Sequence, residues 1–275
     1  MSTDVILNTP YEETTPLNWS HVAKAYSFVL LNVMLSQFLR LKLSYSLIIS
    51  SLRCMIQLTV MGFLLQLIFD ANSPWIVALM TIAFLVLGAY ETVYHQSRRR
   101  YKGMFQAIFL SMLVSTTVVS IVGMIFALQY KPFWNPPEFI PTIGTVLGNS
   151  IPGMAIALNH SIQHFTENKC RIELYLSFGA TRWEAANPII VESIRLGFLP
   201  TINALSVMGL ISIPGLMTGQ IMSGVPVGHA VKFQIIMMFM IAAGTCLGIL
   251  LVVLHCTSVC LDSKHQIRKD RMSSK

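Results

Sequence analysis

Apolar stretches of about 20 residues or more alternate with short polar ones along this chain, and seven of them meet the length needed to cross a hydrocarbon core about 30 Å thick. They predict membrane helices at about 20–39, 43–68, 74–96, 104–130, 139–165, 196–219 and 233–255. Residues 104–129, 196–219 and 233–254 contain no Asp, Glu, Lys or Arg, whereas the first stretch is the least apolar, with 15 residues between Lys24 and Arg40. Ser73 before Pro74 predicts an N-cap and a first-turn proline for the third helix. Two of the predicted helices carry nearly the same interruption, SIPGM at 150–154 and SIPGL at 212–216. Proline removes a backbone donor and glycine frees the backbone, so both are read as helix breaks. The whole chain, 1–275, is read as a single all-α transmembrane domain.

Composition sharpens this picture. With 54% hydrophobic and 11% charged residues, the chain lacks the polar surface of a soluble domain. The net charge of +7 does not point to nucleic acid, because Lys and Arg cluster in the connections between apolar stretches, where lipid headgroups and topology account for them. With the N-terminus outside, fifteen of the nineteen basic residues fall on the inner side, around 40–42, 98–102, 169–195 and 264–275. Lys24, Lys131 and Lys232 fall outside and Arg53 lies within a helix, so the positive-inside rule predicts an outer N-terminus and a cytoplasmic C-terminus. Residues 1–19 lack the apolar core of a cleavable signal, which leaves targeting to the first helix. Cys54, Cys170, Cys246, Cys256 and Cys260 lie in predicted helices or on the cytoplasmic side, against a disulfide framework. Cys256 and Cys260 read either as acylation sites or as two plain interfacial thiols. Asn18-Trp19-Ser20 is a glycosylation sequon close to the membrane.

The sequence has no GxxxxGK[ST] phosphate loop, no dinucleotide fingerprint, no HExxH and no CxxC, so uphill movement of a solute would draw on another chain or an ion gradient. The longest inner connection, 166–195, is the candidate for meeting such a chain. Ile172, Leu174, Leu176 and Phe178, then Trp183, Ile189 and Ile190, predict two short amphipathic helices parted at Gly179, with Asn168 and the pair Asn187-Pro188 as start signals. The spacing of Glu173 and Gly179, with apolar Ile189 beyond, partly resembles the cytoplasmic loop of ABC permeases, although Val191-Glu192 replaces the usual Leu-Pro close. An interfacial helix with no partner is the alternative.

Four further segments extend that likeness. SLRCMIQLTVMGFLL at 51–65, GTVLGNS at 144–150, LSFGATRWEA at 176–185 and GLISIPGLMTGQIMSGVPVGHAVKFQI at 209–235 resemble, in that order, the ABC permease family containing the bacterial iron-export permease and the plant aluminium-sensitivity permeases. The resemblance runs from about residue 43 to 255. It implies a half-sized transporter: a permease homodimer in the bilayer with a separate ABC ATPase subunit, which uses the ATP, so that this chain binds no cofactor itself. It also implies ATPase coupling through Glu173, Gly179, Ala180, Thr181 and Arg182. Bacterial relatives are associated with iron export and plant relatives with aluminium tolerance, where a metal or a nucleotide sugar has been proposed; the resemblance does not fix one solute. Pro214 and Gly215 match the family pattern, whereas the Gly-Asn motif at Asn149 is not normally followed by Pro-Gly.

Arg53, Gln57, Asn149, Ser150, Ser212, Pro214, Gly215, Thr218 and Gly219 are the candidates for a solute path. Arg53 and Gln57 lie one turn apart on one helix face, and a charge inside a membrane points to function, although a side chain about 15 Å from the inner edge also reaches the interface by snorkelling. Paired breaks such as those at Pro152 and Pro214 mark transporter substrate sites or, equally, packing kinks. The metal ligands stay unknown. Glu91 with His95, and His160 with His164, are spaced for shared ligation but sit near the inner boundary, where water and headgroups satisfy such residues. Met237, Met238 and Met240, with Met217 and Met222, are compatible with a soft cation but read first as flexible core filler. Seven helices with an outer N-terminus also describe a signalling receptor. Against that, no Asp-Arg-Tyr closes the third helix, no Asn-Pro-x-x-Tyr lies in the seventh, and the outer loops are short. An ion-coupled carrier is a third reading. The sequence is read as a permease moving a metal ion or a metal-linked solute out of the cytosol.

Overall fold

The computed structural model describes residues 18–71, 73–97, 99–101, 103–261 and 272–274. Residues 1–17 of the stretch 1–19 read for a signal, and the basic positions Arg98, Lys102, Lys264, Arg268, Lys269, Arg271 and Lys275, lie outside the described residues. The chain divides into two units, 1–67 and 68–275.

In the first unit, α1 (Trp19–Phe38) opens with a capping box: the Asn18 side chain accepts from backbone amides of the first turn, and His21 Nδ1 accepts from the Asn18 amide at 3.1 Å. Ser36 turns the chain toward α2 (Ser44–Ala71) by accepting from the Leu43 amide at 3.2 Å. Six helices among the described residues are long and apolar enough to cross a membrane, and α1 is not one of them. The expected seventh span does form a 20-residue helix. Its Lys24, Asn32 and Gln37 dilute the apolar side chains.

The second unit is built around α5 (Pro136–Glu167), which packs most extensively on α9 (Val227–Cys260) and α7 (Arg182–Val207), and then on α3 (Pro74–Glu91) and α4 (Met104–Val122). α3 and α4 each run on into a π-helical turn, Thr92–Gln96 and Gly123–Ala127. Leu85, Ile108, Met112, Met154, Leu158, Ile162, Phe165 and Ile249 are fully buried among these helices and form the core. A short strand pair, β1 (Arg99–Tyr101) with β2 (Met272–Ser274), accompanies the helices, and the protein is all-α in class.

Two expectations change here. The sixth span does not cover 196–219. Thr181 and Glu184 form a capping box in which the Thr181 hydroxyl accepts from the Glu184 amide at 3.3 Å and the Glu184 carboxylate accepts from the Thr181 amide at 2.8 Å. This box starts α7 ahead of the Asn187-Pro188 signal, so Pro188 sits inside the helix. The predicted connection 166–195 is therefore the end of α5, one short helix α6 (Lys169–Ser177), a turn, and the first half of α7. The second correction concerns Pro152, which lies inside an uninterrupted α5. The chain does break at the other repeat: α7 ends at Val207, residues 208–214 form a turn, and Pro214 is the N-cap of α8 (Gly215–Met222).

Gly153 explains why the first repeat needs its glycine. α5 and α7 cross backbone to backbone there: a Cβ on Gly153 would lie 2.8 Å from the Gly197 carbonyl, and one on Gly197 would lie 2.7 Å from the Gly153 carbonyl. Gly197→Val should accordingly force the two helices apart, costing about 1–3 kcal/mol and lowering the melting temperature in detergent by several degrees. Gly62→Ala on α2, with nothing within 4 Å of the added carbon, is the control and should melt unchanged or slightly higher. Equal melting of the two variants would refute the crossing as a packing constraint.

Candidate functional site

A cavity of about 460 Å³ opens where the break after α7 meets α5 and α9. α5 contributes Thr145, Gly148, Asn149, Pro152 and Gly153. α7 contributes Pro200, Thr201 and Ala204 from its last turns, the break contributes Met208 and Pro214, and α8 contributes Gly215 and Leu216. Gln234, Met237, Met238 and Ile241 of α9 close the wall. Both Pro-Gly repeats thus border one cavity, although only the second breaks its helix. The cavity lies in the half of the bundle away from α6, which joins the far ends of α5 and α7.

The polar groups in this wall are unevenly satisfied. Asn149 Nδ2 donates to the Thr145 carbonyl at 2.8 Å, and Thr145 Oγ1 donates to the Pro141 carbonyl at 2.7 Å. Both side chains spend a donor on their own helix and keep acceptor lone pairs. Pro152 has no N–H to give the Gly148 carbonyl four residues earlier. Gln234 is 8% exposed, and its Oε1 is buried without a hydrogen-bond partner. No lining residue carries a charge or titrates. The carbonyl end of α7 and the amide end of α8 both reach the cavity, so their dipoles oppose.

Of the predicted path residues, Asn149, Pro214 and Gly215 line the cavity and the others do not. Ser150 is turned toward α9, with Oγ 3.2 Å from Thr245 Oγ1. Ser212 sits exposed in the turn, where its carbonyl accepts from the Gly209 amide at 2.9 Å. Thr218 Oγ1 donates to the Pro214 carbonyl at 3.2 Å, which also accepts from the Thr218 amide at 3.1 Å, so the hydroxyl is spent at the start of α8. Gly219 is exposed on α8. Arg53, half-buried, and Gln57, exposed, lie on α2 in the first unit. Sequence reasoning missed Gln234, Thr201 and Met208. Gln234 had a signal: it is the sole amide side chain in the apolar run 233–255.

The remaining candidates stay separate. His95 Nδ1 lies 3.5 Å from Glu91 Oε2, while the His160 and His164 rings are 4.1 Å apart and His160 Nδ1 meets Ser193 Oγ at 2.8 Å. Among the described residues no three His, Cys, Asp or Glu side chains gather where a metal ion could sit. Met237 and Met238 reach the cavity, but Met240 packs on Gly123, and Met217 and Met222 lie on α8 away from it. Cys256 and Cys260 are fully buried, their sulfurs 3.9 Å apart, which removes them as acylation sites. They pack near Tyr101, whose phenol is pushed up by burial and then by these two thiols.

At the opposite end, α6 closes with a Schellman motif. Gly179 takes φ +90°, its amide donates to the Leu176 carbonyl at 3.1 Å, and the Ala180 amide donates to the Tyr175 carbonyl at 3.1 Å. Ile172 faces the core, while Leu174, Tyr175 and Phe178 are exposed. Across the turn, Trp183 is exposed under the Arg182 guanidinium, 5.4 Å above its ring centroid, and Glu173 pairs with Lys169 at 3.2 Å.

Residues 19–261 match the sequence profile of an uncharacterised protein family, UPF0014. The chain belongs to this family. Among UPF0014 relatives, it is 32% identical over 225 residues to Protein ALUMINUM SENSITIVE 3 of Arabidopsis thaliana, covering 81% of this chain and 80% of that protein. It is 30% identical over 233 residues to UPF0014 membrane protein STAR2 of Oryza sativa subsp. japonica, covering 84% and 80%. It is 26% identical over 254 residues to the probable iron export permease protein FetB of Escherichia coli, covering 92% and 96%. No solved structure matches the chain. Six apolar helices and membrane-protein relatives make this UPF0014 member a multi-pass membrane protein.

Proposed function

We propose that this UPF0014 chain is the membrane-spanning permease subunit of an ABC transporter, acting as a homodimer with a separate ATPase subunit and moving a metal ion or a metal-linked solute out of the cytosol. The observation that carries the reading is the helix break at Pro214, which opens a cavity whose largely apolar wall carries Thr145, Asn149, Thr201 and Gln234. Irregular backbone at membrane depth is tolerated only against protein or a wet cavity, and transporters place their solutes at such points. The relative named an iron export permease supports transport and metal. The exposed Leu174, Tyr175, Phe178 and Trp183, flanked by Arg171 and Arg182, support docking of an ATPase at α6. ATP is then used by the partner, and the chain is not itself an enzyme.

Affinity capture of the intact chain from its native membrane should bring down an ATPase carrying a phosphate loop, and cells lacking the chain should retain more metal. Recovery of a G protein instead would turn the reading to a receptor, and transport without ATP would turn it to a carrier. The basic asymmetry gives a topology to test as well. A protease site at residue 5 should be cut from outside or from the lumen, and one at residue 270 only from the cytosol. Cleavage of both from one side would mean that α1 does not cross, leaving six spans.

A further inference from the structure

The wall of the cavity is chemically selective. It offers few polar groups: Gln234 with its Oε1 buried and unpartnered, the Gly148 carbonyl without its helical donor, Asn149 with one N–H committed, Thr145 with its hydroxyl proton committed, and the Thr201 hydroxyl. It offers thioethers from Met208, Met237 and Met238. It offers no carboxylate, imidazole or thiol and no cationic side chain.

An anionic solute would meet lone pairs and no Arg or Lys, and the opposed ends of α7 and α8 give it little net field. A hard di- or trivalent ion would shed its water into a wall without a negative charge, a transfer that is strongly opposed. Thioether sulfur without a charged donor beside it suits a soft cation of single charge. We propose that the cavity binds a soft monovalent metal cation of the copper(I) class, with the Met208, Met237 and Met238 sulfurs as its ligands. Neutral ligands suit a transport site, because they hold the ion without the grip of thiolates and need no proton release. Binding is therefore independent of pH, unlike binding at His, Cys or carboxylate sites. The inference rests on the permease reading for its purpose and on the cavity alone for its chemistry.

Silver(I), which does not change oxidation state in water, is the probe. The full chain, labelled with carbon-13 at the methionine methyls, is titrated in nanodiscs and chloride-free buffer, with silver added in excess over its five thiols. The methyl signals of Met208, Met237 and Met238 should shift together and saturate, with the same affinity at about pH 5.5 and 7.5. Met208→Leu should weaken binding about tenfold, as loss of one liganding contact does, and Met237→Leu with Met238→Leu should remove it. Iron(II) and inorganic phosphate should leave the three signals in place. Unmoved signals under silver, or signals moved by iron(II) or phosphate instead, overturn the proposal. If transport still requires the Pro214 break in that case, the permease reading stands and only the cation class falls.

Discussion

Replacing Pro214 and Gly215 together by Ala should abolish transport while expression and ATPase association persist. Pro214 lacks an N–H and holds the extended backbone at φ −65°, ψ 139°, from which α8 starts afresh. Alanine at both positions favours helix by about 3 and 1 kcal/mol respectively. The segment after Val207 then gains a reason to continue as helix, and the wall formed by Pro214, Gly215 and Leu216 is lost. The expected effect is a fall in vesicle transport of a hundredfold or more, about the consequence of removing one wall of a solute site, 2–3 kcal/mol. Transport at the original rate in well-expressed protein would make the break architectural.

A second large effect is expected at Gly179. Its φ of +90° strains any L-residue, and nothing lies within 4 Å of an added Cβ. Gly179→Ala and Gly179→Trp therefore suffer similar backbone strain, about 1–2 kcal/mol, and differ only in what the side chain projects outward. If an ATPase seats on the α6 turn, Ala should retain most coupling, while Trp should lower solute moved per ATP hydrolysed at least tenfold (about 1.4 kcal/mol). Arg182→Glu, which reverses charge beside exposed Trp183, should act in the same direction. Normal coupling in both Trp and Glu variants removes α6 as the docking element.

The helices were legible because an apolar run of membrane length has few other uses, and α3, α4, α5 and α9 follow the stretches read from sequence. What failed were local contests. The Thr181–Glu184 capping box outcompeted Asn187-Pro188, since a reciprocal pair of hydrogen bonds satisfies two free amides and a proline only avoids one. Pro152 was read as a break, but inside a bundle neighbours can satisfy a lone carbonyl. Of the candidate site, Pro214 and Gly215 were found from the irregular backbone they create and Asn149 from its place beside the first repeat, and Gln234 was missed because one amide in an apolar run looks like noise until the side chain is seen lining a cavity with its oxygen partnerless.

The contact between Gly153 and Gly197 has a mechanical side. α7 runs without interruption from the α6 turn to the cavity and meets α5 with bare backbone at Gly197, one turn after Ser193 bonds His160 of α5. A rigid tilt of α7 would pivot near this closest approach. From Gly197 to Arg182 is about 22 Å of helix, and from Gly197 to Ala204 about 10 Å. A tilt of α7 that moves the α6 end by a given distance moves the cavity wall by about half as much in the opposite direction, and with about twice the force. Such a tilt would link the α6 turn to the cavity, and the stiffness of α7 between residues 182 and 204 would set how much of the movement arrives.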